Sequence, residues 1–330
     1  MITEIPGAAD FARASVNLLH LAWETAVGSL RTFESEHAIY AKGDEPELWS
    51  PEEAIQAARF FWDFSQPELT NALTLIEQAI EMALKGRIAS VSPFLLIAKD
   101  ARDYPSGSDK ADVPFSAFRT IDAADLLRVH NSVFSVRLRD DFHNFWDAIR
   151  RQRNAIIHSI ASEARIEAKD ILGHILVVNE FLHGEQSWPQ RRLAYSGTEE
   201  YWAAYPQMAN YTYGFVLDEM DIAVHNLAPS IIKKYFDFDK RARGYICPNC
   251  YEYADRKLQR EVIPHLAQLR PRGAESKSLY CFVCKKTTAV LRQRCQAHGC
   301  PSNVLNDSPN LEMSNRRGMC LVCQEDNAIR

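Results

Sequence analysis

Apolar residues recur three and four positions apart through most of the first 240 residues, which is the spacing of helices that bury one face. From Ala8 to about Ala41 the rhythm runs through Phe11, Val16, Leu19, Ala22, Val27 and Leu30 and predicts one or two helices. Ser50-Pro51-Glu52-Glu53 marks another start, with a serine cap and a proline in the first turn. Ser65-Gln66-Pro67-Glu68 reads as a capping box. The helix it opens, Pro67 to Lys85, carries Leu69, Leu73, Ile76, Ile80 and Leu84 before an expected stop at Gly86. A further helix is predicted near Phe215 to Tyr235. The aromatic-rich run Tyr201 to Tyr213 reads first as a wall of the core and second as a stacking surface for bases. No internal repeat, low-complexity tract or Gly-rich phosphate loop is visible.

One helical segment joins periodicity to chemistry. Phe142, Trp146, Ile149, Ile156 and Ile160, flanked by Phe145 and Ile157, form a buried stripe, and continuing it lands on Arg153. At about 100° per residue, Asp140, Asp147, Arg151, Asn154 and His158 fall within roughly 60° of one another, on a polar strip beside the apolar one. Arg153 lies about 140° from His158 on a straight helix, so the two converge only through the long arginine arm, a helix irregularity or a second subunit. An imidazole takes and returns a proton near neutral pH, a guanidinium holds a phosphate through paired donors, and an amide orients either. The plain alternative is an Asp147–Arg151 ion pair with His158 at a packing boundary. An arginine in phase with Phe, Trp and Ile must have a partner or line a cleft, which weighs against that alternative. A second arginine–histidine spacing, Arg260 to His265, contains Pro264 and is expected to be irregular.

The segment from about Ser65 to Gly184 resembles the HEPN superfamily of all-α domains. Its signature is an arginine followed by a polar residue and then, with four to six residues between, a histidine; Arg153, Asn154 and His158 match it. The long helix from Pro67, the loop Tyr104-Pro105-Ser106-Gly107, the motif helix and a helix ending Phe181-Leu182-His183-Gly184 match its order. Where some members carry a tyrosine two residues after the histidine, this chain has Ile160. The resemblance implies a helical bundle, RNA cleavage without a metal, motif helices paired across a homodimer, and a role as a toxin or in phage defence.

Composition changes sharply near Arg241. All eight cysteines follow it, as Cys247/Cys250, Cys281/Cys284, Cys295/Cys300 and Cys320/Cys323, three of them CxxC knuckles. Eight thiols in so short a stretch satisfy two tetrahedral zinc sites, since a CxxC turn presents two sulfurs to one ion. Sequential pairing puts the first four on one zinc and the last four on another; interleaved pairing and replacement of a sulfur by His298 stay open. Four thiolates leave no position for water, so both zincs are expected to be structural, and no catalytic metal is expected. Residues 241–330 hold 15 Lys or Arg against 8 Asp or Glu, while residues 1–240 hold 23 against 35. A +7 tail on a −12 body suits a polyanion or a docking partner, and bound zinc reduces the tail to about +3.

Length of 330 residues, with 46% hydrophobic and 25% charged, fits a globular chain with two or more domains and excludes a disordered one. No basic leader or membrane-length apolar stretch is present, so a cytoplasmic protein is expected. The expected architecture is an all-α, HEPN-like bundle with a small double zinc ribbon. It divides into a helical extension (1–64), the HEPN-like domain (65–240) and the cysteine-rich domain (241–330). The expected activity is metal-independent endoribonuclease, with His158 as general base or acid, Arg153 on the scissile phosphate, Asn154 orienting and Arg151 assisting. RNA, a second copy and an antitoxin or defence partner are the expected partners. The alternative is a non-catalytic RNA- or partner-binding protein whose ribbons dock.

Overall fold

A computed structural model describes residues 1–41, 50–98, 100, 102, 104–158, 165–205, 212–255, 263–308 and 316–329, with side chains outside 37–41, 157–158 and 252–255. The fold is mostly helical, with a small sheet. Two compact units divide the chain, Met1–Gly184 and Glu185–Arg330. The compositional step near Arg241 falls inside the second unit, because composition follows cysteine and charge whereas compactness follows contacts.

In the first unit α1 (Ala8–Ala41) lies along α3 (Gln66–Val91), with α2 (Pro51–Phe64) leading into α3. A pair of short parallel strands, β1 (Ile2–Thr3) and β2 (Val113–Pro114), ties the N-terminus to the connection that follows α3. Then come α4 (Ala123–Val133), α5 (Asp140–His158) and α6 (Ala168–His183), each against α3. Helix α3 is therefore the axis of the bundle. Ala72, Leu73, Ile76, Ala79, Ile80 and Leu84 are fully buried along it.

Two sequence expectations change at the ends of α3. The capping box forms one helix earlier: Ser50 Oγ accepts from Glu53 N–H at 3.3 Å, while Glu53 Oε2 accepts from Ser50 N–H at 2.7 Å. Ser65 sits in the helical region with no side-chain cap, and its hydroxyl donates back to the Phe61 carbonyl at 2.9 Å, because α2 runs almost directly into α3. Gly86 does not stop α3, which continues to Val91. A Cβ at Gly86 would meet Phe11 Cβ at 3.0 Å and the Ala8 carbonyl at 3.1 Å, so this glycine serves the close approach of α1.

In the second unit, α7 (Trp188–Ser196), α8 (Glu199–Ala204), α9 (Thr212–Asn226), α10 (Pro229–Phe236) and α11 (Pro248–Asp255) precede an antiparallel sheet in the order β3 (Ala267–Leu269), β4 (Ser278–Cys281), β5 (Thr287–Leu291) and β6 (Leu305–Asn306). The single helix expected over Phe215 to Tyr235 is two, broken ahead of Pro229, which starts α10. Phe282 stacks on Phe236 of α10 at 5.0 Å and meets Phe238 edge-on at 5.4 Å. The cysteine-rich segment thus shares a core with helices upstream of it. No helix among the described residues is long and apolar enough to cross a membrane.

Candidate functional site

Helix α5 is set in place before its motif begins. Asn131, near the end of α4, binds Leu138 through both backbone groups, accepting its N–H and donating to its carbonyl at 2.9 Å each. That clamp fixes the turn into α5. Phe142, Trp146 and Ile149 are then buried on one face, as their spacing requires, and Ile156 is half-buried.

Arg153 continues that face, and it has a partner. Its Nε and Nη2 each donate to one carboxylate oxygen of Glu77, at 2.7 Å. Glu77 stands among Leu73, Ile76 and Ile80 on α3, with only 11% of its side chain exposed. The bidentate bond raises the arginine's proton affinity, although partial burial works against it. Arg150 reaches the same carboxylate, Nε to Oε1 at 3.8 Å, with its guanidinium over the Trp146 ring at 5.7 Å. Two guanidiniums share one carboxylate, leaving one net positive charge at this point of α5.

The second unit supplies an informative contrast. Arg192 and Glu219 form the same bidentate pair, at 2.8 and 2.7 Å, but Arg192 is wholly buried and the charges balance. That pair is shut away from solvent and holds α7 to α9. Arg153 keeps 28% of its side chain exposed, with a second arginine beside it, so an anion can approach.

Asn154 and Arg151 are exposed on the neighbouring strip. Arg151 Nε donates to the Asp147 carbonyl at 3.3 Å, and the Asp147 carboxylate lies 3.5 Å from His143 Nε2 instead, so the side-chain ion pair of the plain alternative is not made. His158 ends α5, but its side chain and Ile160 lie outside the described residues, as does Arg260 of the second arginine–histidine spacing. On α6, His174 meets Phe145 of α5 at 5.6 Å. Its Nδ1 is buried without a partner among the described residues, and burial pulls its pKa from the ordinary 6.5 to about 4.

Glu77 is the site residue that sequence reasoning missed. A carboxylate in phase with the buried row of α3 was its signal, matching an arginine in phase with the buried row of α5. Opposite charges on two apolar stripes identify a buried pair, but only contact reveals which stripe faces which.

The eight cysteines form two closed clusters. Cys247, Cys250, Cys281 and Cys284 make one and Cys295, Cys300, Cys320 and Cys323 the other, with the sulfurs of each within 4.8 Å of one another. Pairing is therefore sequential, and His298 is exposed and outside the set. The sulfur separations are 3.7 Å (Cys247–Cys284), 3.8 Å (Cys250–Cys281), 3.6 Å (Cys295–Cys323) and 3.9 Å (Cys300–Cys320). A tetrahedral ion with metal–sulfur bonds of about 2.3 Å has an edge of about 3.8 Å, so both clusters fit one metal ion each. Hydrogen bonding to the neighbouring sulfurs, with burial, raises the Cys250 thiol well above its ordinary pKa, while hydrogen bonding from those sulfurs lowers that of Cys284.

Each cluster is completed by the same turn. In Cys281-Phe282-Val283-Cys284-Lys285-Lys286 and Cys320-Leu321-Val322-Cys323-Gln324-Glu325, the first cysteine's N–H donates to the sixth residue's carbonyl, at 3.1 and 2.8 Å. The fifth residue is left-handed in both, φ 57° at Lys285 and 67° at Gln324. This is a short repeat that long-range periodicity does not register. The clusters are joined, since Ile246 N–H donates to the Leu321 carbonyl at 2.9 Å and the four strands span both. Compared with known proteins, the chain matches no family model, no curated protein and no solved structure.

Proposed function

We propose that the chain is a metal-independent endoribonuclease of the HEPN type, carried on a body that includes two structural zinc sites. The observation that carries this reading is the Glu77–Arg150–Arg153 cluster. It holds a partly exposed guanidinium rigidly on the helix that bears His158, with one uncompensated positive charge. A diester phosphate carries the complementary charge, and Arg153 keeps Nη1 for it. His158 removes the proton of the ribose 2′-hydroxyl, whose oxygen attacks phosphorus in line. The bond to the 5′-oxygen breaks, leaving a 2′,3′-cyclic phosphate and a protonated 5′-hydroxyl. Asn154 orients the phosphate or the imidazole, and Arg151 extends the contact along the RNA. One imidazole cannot readily be both base and acid, which favours a homodimer in which two motif helices contribute.

Zinc is the metal that suits four thiolates in a closed tetrahedron, and its role is to hold the knuckles. Eight reduced thiols fit a cytoplasmic protein, and a cytoplasmic RNA-cleaving chain fits a toxin or phage-defence effector with an antitoxin or defence partner.

A second reading is favoured by the bidentate pair itself: Arg153 serves the core, and the strip binds RNA or a partner without cleaving. Incubating the pure, metal-loaded chain with mixed RNA decides between them. Cleavage by wild type and not by His158→Ala, with DNA inert, supports the enzyme; RNA retained intact by both supports the binder.

A further inference from the structure

A cleft of about 460 Å³ lies within the second unit, between the end of α9, the segment 238–244 and the residues that lead into β3. Val224, Phe238, Ile263 and Leu266 give it apolar walls, each less than a tenth exposed. Its polar groups are few. Asp221 and His225 stand one turn apart on α9, Lys240 belongs to the loop after α10, and His265 to the stretch before β3. His225 Nδ1 lies 2.8 Å from the Asp221 carbonyl, and a carbonyl only accepts, so Nδ1 carries a proton and Nε2 of the neutral ring is an acceptor. Lys240 Nζ donates to the His225 and Leu227 carbonyls at 3.0 and 3.1 Å, which pins its ammonium at the end of α9 with a third proton to give. Burial lowers the pKa of His265, against the opposing pull of the Val322 carbonyl and Asp221, so this ring meets a ligand uncharged. Asp221 and Lys240 balance one another, which disfavours a simple ion. Among the described residues only the cysteine clusters gather closely enough to hold a metal.

We infer that this cleft binds a guanine base, of RNA or of a free nucleotide, with Asp221 and Lys240 reading its Watson–Crick edge. Guanine alone of the four RNA bases presents two adjacent N–H donors, at N1 and the exocyclic N2, which one carboxylate accepts side by side. The neighbouring O6 takes the lysine proton. Adenine and cytosine set a single amino group beside a bare ring nitrogen, and uracil sets one N–H between two carbonyls, so each turns a lone pair towards the carboxylate. The apolar walls suit the faces of a flat ring, and the cleft falls in the usual range of small-ligand sites, about 300–1,000 Å³. His225 Nε2 is an acceptor for a ribose hydroxyl.

Titration calorimetry of the metal-loaded full chain with guanosine monophosphate tests this, against the monophosphates of adenosine, cytidine, uridine and inosine. The guanine nucleotide should bind with a dissociation constant below about 1 mM, and the others roughly tenfold more weakly or worse. Inosine, which is guanosine without its amino group, is the sharper probe. Asp221→Asn should abolish the preference for guanosine over inosine, an effect that altered packing would not produce. Lys240→Met should weaken guanosine monophosphate by roughly tenfold with both metal ions still bound. A short RNA with one guanine that displaces the nucleotide assigns the base to RNA; a nucleotide that resists displacement assigns the cleft to free nucleotides. Equal binding of all the monophosphates, no binding of the guanine nucleotide up to about 1 mM, or a preference over inosine that persists in Asp221→Asn overturns the assignment. Binding is measured without cleavage, so its failure leaves the role of His158 untouched.

Discussion

Glu77 and Arg153 show why a motif residue can matter twice. Replacing Glu77 with Gln leaves two arginines facing an uncharged amide at the edge of the core. With those arginines partly exposed, the cost should be about 1–3 kcal/mol of stability, read from urea denaturation. Loss of cleavage in Arg153→Ala would be ambiguous for the same reason, because it strands a largely buried carboxylate. Arg153→Lys is the better probe: charge stays, the fork is lost, and cleavage should fall far more than stability. His174 adds a pH dependence. The folded chain keeps this ring neutral down to about pH 4, whereas an unfolded chain protonates it near 6.5. Its contribution is fully present above pH 6.5 and is lost as pH falls towards 4, by up to about 3 kcal/mol. His174→Leu should flatten the stability profile over that window; an unchanged slope would show the ring to be solvated.

Among the elements, α1 and α3 make the extended contact of the bundle, and Gly86 is a point of close approach within it. Glycine to alanine inside a helix ordinarily stabilises by about 1 kcal/mol. Here the added methyl meets Phe11 and the Ala8 carbonyl, so Gly86→Ala should destabilise by about 1–3 kcal/mol instead. Thermal unfolding that rose in this variant would remove the packing role. The caps provide a second comparison. Ser50→Ala breaks a reciprocal box and should cost about 1 kcal/mol. Ser65→Ala removes only a back-bond to Phe61 and should cost less.

For the whole molecule, the two closed cysteine sets predict two metal ions per chain by elemental analysis. Replacing Cys281 or Cys320 should release one and loosen the strands around it. A strong chelator should melt the ribbons while the helices of Met1–Gly184, which have their own apolar core, persist in far-ultraviolet circular dichroism. The unit boundary makes a sharper claim. A chain ending at Gly184 should be soluble and helical, while one ending at residue 240 strands Phe236 and Phe238 without Phe282 and should aggregate or lose structure in its last helices. Equal behaviour of the two truncations would place the boundary elsewhere.

Local chemistry was legible in the chain alone. The rows Leu69, Leu73, Ile76, Ile80 and Phe142, Trp146, Ile149 specify buried faces whatever they face, because burial of a stripe depends on residue spacing along one helix. Ser50 reads from sequence as a helix cap, although the reciprocal box expected at Ser65 forms at Ser50 instead, and eight paired cysteines announce two metal clusters because a CxxC turn is itself half a ligand set. Tertiary structure decided everything that depends on a partner distant in sequence. It seated Arg153 on Glu77, 76 positions away. It converted Gly86 from an expected stop into a contact, paired the cysteines sequentially, and drew the second unit across the compositional step at Arg241 through Phe282. The physical reason is common to these cases: a side chain advertises what it needs, whether burial, a counter-charge or a shared ion, but many segments of a helical chain can supply it. Which one does is set by the simultaneous packing of all of them.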